Sequence, residues 1–257
     1  MKIRKTIALI VVLLLCLGPA ACAKGDDMEE TPCLDLNCCG ECGNRQCIER
    51  YVKYGRRYIG QTLWTVGDSI FDFNDNSYND MVPAVASHLG FTGLYMDNIA
   101  GSTTAAASQV GIADHTDNNF YLSWPEPDVI LIQRGTNDVY HWMANNIPKG
   151  SAETKDRLTG LGSISYVLGY FRDRFPDARI VWSTPIFRND VDGAALAEFS
   201  SALKSVCPSF GAEVFDLASV CGIDGANYTQ YLSDGIHPNR DGSQKLLAAY
   251  LDYFKYS

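Results

Sequence analysis

Four short stretches of this 257-residue chain hold small and polar residues that a packed interior does not require. They are Gly67-Asp68-Ser69-Ile70, Asn98 to Thr103, Gly135-Thr136-Asn137-Asp138, and Asp234 to Asn239. A serine becomes a nucleophile only when a base takes its proton, a carboxylate fixes the tautomer of that base, and donors face the oxyanion that develops. The four stretches contain each of these parts. Ser69 is the candidate nucleophile and His237 the candidate base. Asp234, three residues before His237, can accept from Nδ1–H while Nε2 faces Ser69. The Asn137 side-chain amide and the backbone N–H groups of Ser69 and Gly101 are the candidate oxyanion donors. Gly67 is expected to let the chain turn sharply, and Asp68 to bond backbone amides in that turn.

The same residue types also serve plainer ends. Gly-Asp-Ser is common in turns and helix caps, and Asp234-Gly-Ile-His-Pro-Asn239 can cap the last helix while also carrying a base. What favours chemistry is the presence of all the parts together.

These stretches need a scaffold, and from about Gly60 onward short β-rich runs alternate with helix-period segments. The predicted strands are 62–66, 95–99, 128–133, 179–184 and 213–217. Ile164, Val167, Leu168, Phe171 and Phe175 share one face of a predicted helix, as do Leu246, Leu247, Tyr250, Leu251 and Phe254 of the last one. Weaker helices are expected over 194–206 and 83–89. Alternation of this kind, with right-handed crossovers, predicts an α/β domain of five parallel strands covered by helices on both faces. Ligands of such sheets bind beyond the carboxyl ends of the strands, where the post-strand loops lie.

Taken in order, Gly67-Asp68-Ser69-Ile70, Gly101, Gly135-Thr136-Asn137-Asp138 and Asp234-Gly-Ile-His237-Pro-Asn resemble the four blocks of the SGNH/GDSL hydrolase (esterase/lipase) family, from about Gly60 to the C-terminus. The resemblance implies a three-layer α/β/α sandwich with a flavodoxin-like sheet. It also implies a catalytic triad of Ser69, Asp234 and His237 and an oxyanion hole of Ser69, Gly101 and Asn137. In the second block the stretch from Asn98 to Gly101 is shorter than in many relatives. Such a site uses no cofactor and no metal. No serine has glycine at both second neighbours, and no H-E-x-x-H occurs, so neither an α/β-hydrolase elbow nor that zinc motif is present.

The N-terminus reads as a targeting segment. Lys2, Arg4 and Lys5 precede the apolar run Ile7 to Leu17, and small residues follow up to Cys22, so residues 1–21 are expected to be a signal peptide. Ala20-Ala21-Cys22 and the acidic stretch after it resemble bacterial lipoproteins, which implies lipid on the Cys22 thiol and a place in the cell envelope. Pro19 stands where that family usually has leucine, and cleavage after Ala23 would instead give a secreted or periplasmic form. Removing residues 1–21 takes away three cations and no anion, so the formal net charge goes from −9 to −12. Such a chain repels nucleic acid and anionic lipid.

Residues 22–56 lack apolar periodicity and hold Cys33, Cys38, Cys39, Cys42 and Cys47. They form either a tether or a small knot closed by disulfides or zinc. Cys207 and Cys221 are expected to pair as a disulfide of the hydrolase domain, residues 57–257. His88 is placed at a helix end, and His115 and His141 in polar loops. Tyr140, His141 and Trp142 can wall a substrate cleft, although core packing explains Trp142 equally well.

The expected substrate is a short acyl (acetyl) ester on a polar or carbohydrate carrier. The alternatives are a lipid- or thioester-directed hydrolase of the same fold, a non-catalytic glycan-binding lipoprotein, and an envelope protein that works through its cysteine-rich segment.

Overall fold

In a computed structural model of the chain, residues 57–71, 81–106 and 111–256 are described. The signal segment, Cys22, the cluster from Cys33 to Cys47 and the polar stretch 73–80 lie outside them.

Five strands form one all-parallel sheet: β1 (Thr62–Gly67), β2 (Gly93–Asn98), β3 (Val129–Gln133), β4 (Arg179–Ser183) and β5 (Glu213–Phe215). Their order is β2-β1-β3-β4-β5, the flavodoxin-like order. The central β3, Val-Ile-Leu-Ile-Gln, is buried at every position, as a parallel strand covered on both faces must be. Alternate side chains feed two separate cores. Trp64, Val66, Ile130, Ile132, Ile180 and Trp182 point to one face. Leu63, Val129, Leu131 and Val181 point to the other.

Eight α-helices complete the described residues: α1 (Met81–Leu89), α2 (Ile112–Asp117), α3 (Thr136–Met143), α4 (Gly162–Arg174), α5 (Gly193–Val206), α6 (Leu217–Val220), α7 (Tyr228–Tyr231) and α8 (Arg240–Tyr256). Helices α4 and α5 cover the first face through Ile164, Val167, Leu168, Phe171, Leu196, Phe199 and Leu203. Helices α1 and α8 cover the second through Met81, Val85, Leu89, Leu246, Leu247, Tyr250, Leu251 and Phe254. The result is a three-layer α/β/α sandwich. Asp192 caps α5 by accepting from the Ala194 amide at 2.9 Å.

Two features of the fold position the site. The strands end level with one another: Gly67 pairs with Asn98 and with Gln133, and Gln133 with Ser183. The loops that follow therefore start from one plane. At the opposite, amino-terminal edge, Tyr58 is clamped across the sheet. Its amide donates to Leu89 O at 3.1 Å, its ring stacks on Phe91 at 4.5 Å, and its hydroxyl accepts from Arg179 Nη1 at 2.9 Å. Beside it Arg57 Nη1 donates to Lys255 O at 2.8 Å.

Three expectations need correction. Cys207 and Cys221 are both free thiols, because Cys207 lies in the core on one face of the sheet and Cys221 in the core on the other. His115 and His141 belong to helices α2 and α3, not loops. These helices are six and eight residues long, too short for apolar periodicity to show. Trp142 is 8 % exposed and packs in the first core, so it does not wall a cleft.

Alkylation measures the thiol correction directly. Under native conditions Cys207 and Cys221 are expected to resist iodoacetamide, because both are buried and burial pushes the Cys207 thiol up to about 12. In denaturant without reductant, peptide mass mapping is expected to find both fully alkylated.

Candidate active site

The loops after β1, β2, β3 and β4 and the loop between α7 and α8 meet in one constellation. After β1 the chain turns at Asp68: the Phe71 amide donates to Asp68 O at 3.0 Å and the Ile70 amide to Asp68 Oδ1 at 2.9 Å. This turn presents Ser69, itself only 6 % exposed. Gly67 serves the turn through space and not through a left-handed backbone. A Cβ there would come within 2.6 Å of the Phe71 side chain and 2.8 Å of Asn98 Oδ1.

His237 Nε2 lies 2.9 Å from Ser69 Oγ, and His237 Nδ1 lies 2.6 Å from Asp234 Oδ2. The loop from 234 to 237 is self-organised, since Asp234 Oδ1 accepts from the amides of Ile236 and His237 at 2.9 and 2.8 Å. Burial works to raise the Asp234 carboxyl, but the His237 amide and ring and the Ile236 amide outweigh it and hold the group below its usual range. It therefore stays ionised opposite the imidazole.

The second and third loops meet beside this line. Gly101 has a left-handed backbone (φ +74°), and a Cβ placed on it would touch nothing within 4 Å, so the chain is open to an approaching molecule. Asn137 stands in the first turn of α3, directly after β3. Its Nδ2 donates one hydrogen to Ser102 O at 2.9 Å, which leaves the second for a substrate oxygen. No acceptor engages the Ser69 or Gly101 amide among the described residues.

Behind the loops lies a buried charge system that the sequence reading missed. Arg134, the residue after β3, has no exposed surface, and its Nη2 donates to Asp97 O at 3.3 Å. Its charge acts on three buried carboxylates, Asp68, Asp97 and Asp138. Asp138 accepts from the Thr104 amide at 2.8 Å and the Ala105 amide at 3.1 Å, which fixes the loop containing Gly101. Asp97 Oδ2 takes the Tyr121 hydroxyl and lies 2.8 Å from His115 Nδ1. His115 is thus a satisfied histidine. Burial raises Asp97, but His115, Arg134 and Tyr121 together bring it below its usual range. Burial dominates at the other two: Asp138 is raised, and Asp68 reaches about 6 against Arg134 and the Ile70 amide. The sequence signal was a cation placed one residue after the apolar run Val129 to Ile132, at the end of a fully buried strand.

The loop after β4 was also missed. Arg188 is 4 % exposed, pairs with Asp190 at 2.5 and 2.7 Å, and donates from Nη1 to Thr136 O at 3.0 Å. The next amide, Asn189 N, donates to Gly235 O at 3.0 Å, in the loop of Asp234 and His237. Among the described residues no group of three or more His, Cys, Asp and Glu side chains is placed to hold a metal ion.

The chain belongs to the GDSL-like lipase/acylhydrolase family, whose profile matches residues 65–245. It is 27% identical over 213 residues to a multidomain esterase of Ruminococcus flavefaciens, covering 76% of this chain and 25% of that protein. The chain thus spans about a quarter of that relative's length. Among solved structures it resembles a Lactobacillus plantarum protein at 19% identity and TM-score 0.63, covering 76% of this chain and 97% of that one. It also resembles a catalytic mutant of an acetylxylan esterase from Geobacillus stearothermophilus at 16% identity and TM-score 0.57, covering 77% and 95%. At these identities the two structures establish the likeness of fold.

The raised Asp68 gives a stability prediction. A carboxyl moved from 3.8 to about 6 on folding takes up its proton in the native state first, so this group stabilises the fold as pH falls from 7 to 5. The whole shift is worth roughly 3 kcal/mol, of which roughly 1 kcal/mol accrues between pH 7 and pH 5 and the rest below pH 5. Urea denaturation of Asp68→Asn at pH 7 and pH 5 is expected to lack this increment relative to the wild type.

Proposed function

We propose that the protein hydrolyses esters through an acyl-enzyme on Ser69. The observation that carries this reading is the unbroken line from Ser69 Oγ through the His237 ring to Asp234, with contacts of 2.9 and 2.6 Å. In the proposed reaction Ser69 Oγ attacks the ester carbonyl while His237 Nε2 takes its proton. Asp234 holds the Nδ1–H tautomer and stabilises the imidazolium. The carbonyl oxygen becomes an oxyanion received by the amides of Ser69 and Gly101 and the Asn137 side chain. The C–O bond to the alcohol then breaks, and His237 returns the proton to the departing oxygen. Water, deprotonated by the same histidine, attacks the acyl carbon and frees the acid and Ser69.

For the substrate we infer a short acyl ester, acetyl first, on a polar or carbohydrate carrier. The names of the esterase relative and of the acetylxylan esterase neighbour support this. So does the exposed Tyr140 ring one turn from Asn137, which lies against the Arg188 guanidinium that Asp190 grips and beside the polar His141. We further infer export on residues 1–21 with lipid on Cys22, which the residue pattern there supports.

Acetate release from acetylated xylo-oligosaccharides tests the reading. Wild-type protein is expected to turn over, and Ser69→Ala to fall on the order of 10⁴-fold or more with an unchanged Tm. Asn137→Ala is expected to lower kcat by about a hundredfold to a thousandfold with little change in KM. Comparable turnover by Ser69→Ala would remove the acyl-enzyme, and a preference for esters of about eight carbons or more would remove the short-acyl assignment, since each added buried methylene contributes about 0.8 kcal/mol.

A further inference from the structure

Helix α3 has two faces. Val139 and Trp142 enter the core, while Asn137, Tyr140 and His141 fall on the other side at i, i+3 and i+4. Residues so spaced have Cβ atoms about 5–6 Å apart. Tyr140 therefore stands one turn beyond the Asn137 amide that bonds Ser102 O, next to where a substrate carbonyl would sit.

Tyr140 is 42% exposed, yet it is not loose. The Arg188 guanidinium lies 5.2 Å from its ring centroid, and that guanidinium is itself buried, gripped by Asp190 and tied to Thr136 O. One ring face is thus covered by a fixed cation, the His141 ring stands edge-on 5.4 Å away, and much of the remaining ring surface is open. A large apolar side chain held at the rim in this way loses little freedom when a ligand covers it. The groups around it are polar: the Asp190 carboxylate, one-third exposed, pairs with the Arg188 that holds the ring, and His141 beside it lies 3.2 Å from Asn146.

Building on the esterase reading, we propose that Tyr140, fixed by Arg188, is the stacking platform for the sugar ring that carries the ester. A pyranose has an apolar C–H face and a rim of hydroxyls, which matches an open aromatic face set among hydrogen-bonding groups. An acyl chain would need enclosure to gain its burial energy, and this surface is open. The platform lies on the alcohol side, one helical turn from the oxyanion donors, so a ring placed on it brings an acetyl carbonyl toward Asn137.

The test compares two esters that share an acetyl group and differ in carrier: acetylated xylo-oligosaccharide and ethyl acetate. Tyr140→Ala and Tyr140→Leu are expected to lower kcat/KM on the oligosaccharide about tenfold or more, mostly through KM. The loss on ethyl acetate is expected to be at least several times smaller, and Tyr140→Phe to restore wild-type behaviour on both. Equal losses on the two esters, or no loss on the oligosaccharide, would overturn the platform. Calorimetric titration of unacetylated xylo-oligosaccharide into Ser69→Ala reads the platform without turnover. Weaker binding after the further change Tyr140→Ala supports it, and absent or unchanged binding rejects it. A wild-type protein that hydrolyses neither ester would reject the esterase reading instead.

Discussion

A guanidinium with no exposed surface stands where β1, β2 and β3 end, and most of the site's architecture follows from accommodating it. An isolated buried charge would cost several kcal/mol, so counter-charges have to be close. Asp68 from the turn after β1, Asp97 from the end of β2 and Asp138 from the first turn of α3 supply them. Each carboxylate then does local work. Asp68 shapes the turn that presents Ser69, Asp138 holds the amides of Thr104 and Ala105, and Asp97 joins β2 to α2 through His115. Two of the three stay raised despite the cation, so the cluster is compensated only in part, and burial remains the dominant influence at its centre.

Outside this centre the loops close into a circuit. Ile99 N donates to Gly67 O and ties the second loop to the first. Asn137 and Asp138 tie the third to the second, and Arg188 ties the β4 loop to the third through Thr136 O. Asn189 N reaches Gly235 O, and His237 returns to Ser69. Every link is a hydrogen bond between segments distant in sequence. The geometry of the His237 contact therefore rests on the loops after β1 to β4 starting from one level.

The fold was legible because its strands are β-branched runs closed by polar loops, and its long helices carry an unbroken apolar face. The meeting of Ser69, His237, Asp234 and Asn137 at one end of the sheet was legible because these residues are concentrated in short motifs. Helix α3 was not, since the residues of its first turn also form the Gly135–Asp138 motif and its apolar residues are too few to show a period. The thiol pairing failed because oxidation and cysteine count say nothing about which face of a sheet each cysteine occupies. Arg188 carried no signal at all. Its meaning lies in contacts with Thr136, Tyr140 and Asp190, and only the packing of two distant loops brings Thr136 and Tyr140 to it.

The clamp on Tyr58 has a directional consequence. It holds the start of the domain at the amino-terminal edge of the sheet, through Leu89, Phe91 and Arg179. Ser69 lies beyond the opposite edge, and the six residues of β1 separate the two by about 20 Å. The first described residues thus lie at the edge of the sheet opposite the loops that bring Ser69 and His237 together. A pull applied at Arg57 would be met first by the contacts of Tyr58 and the last turn of α8, and Ser69 and His237 lie at the far side of the sheet from it.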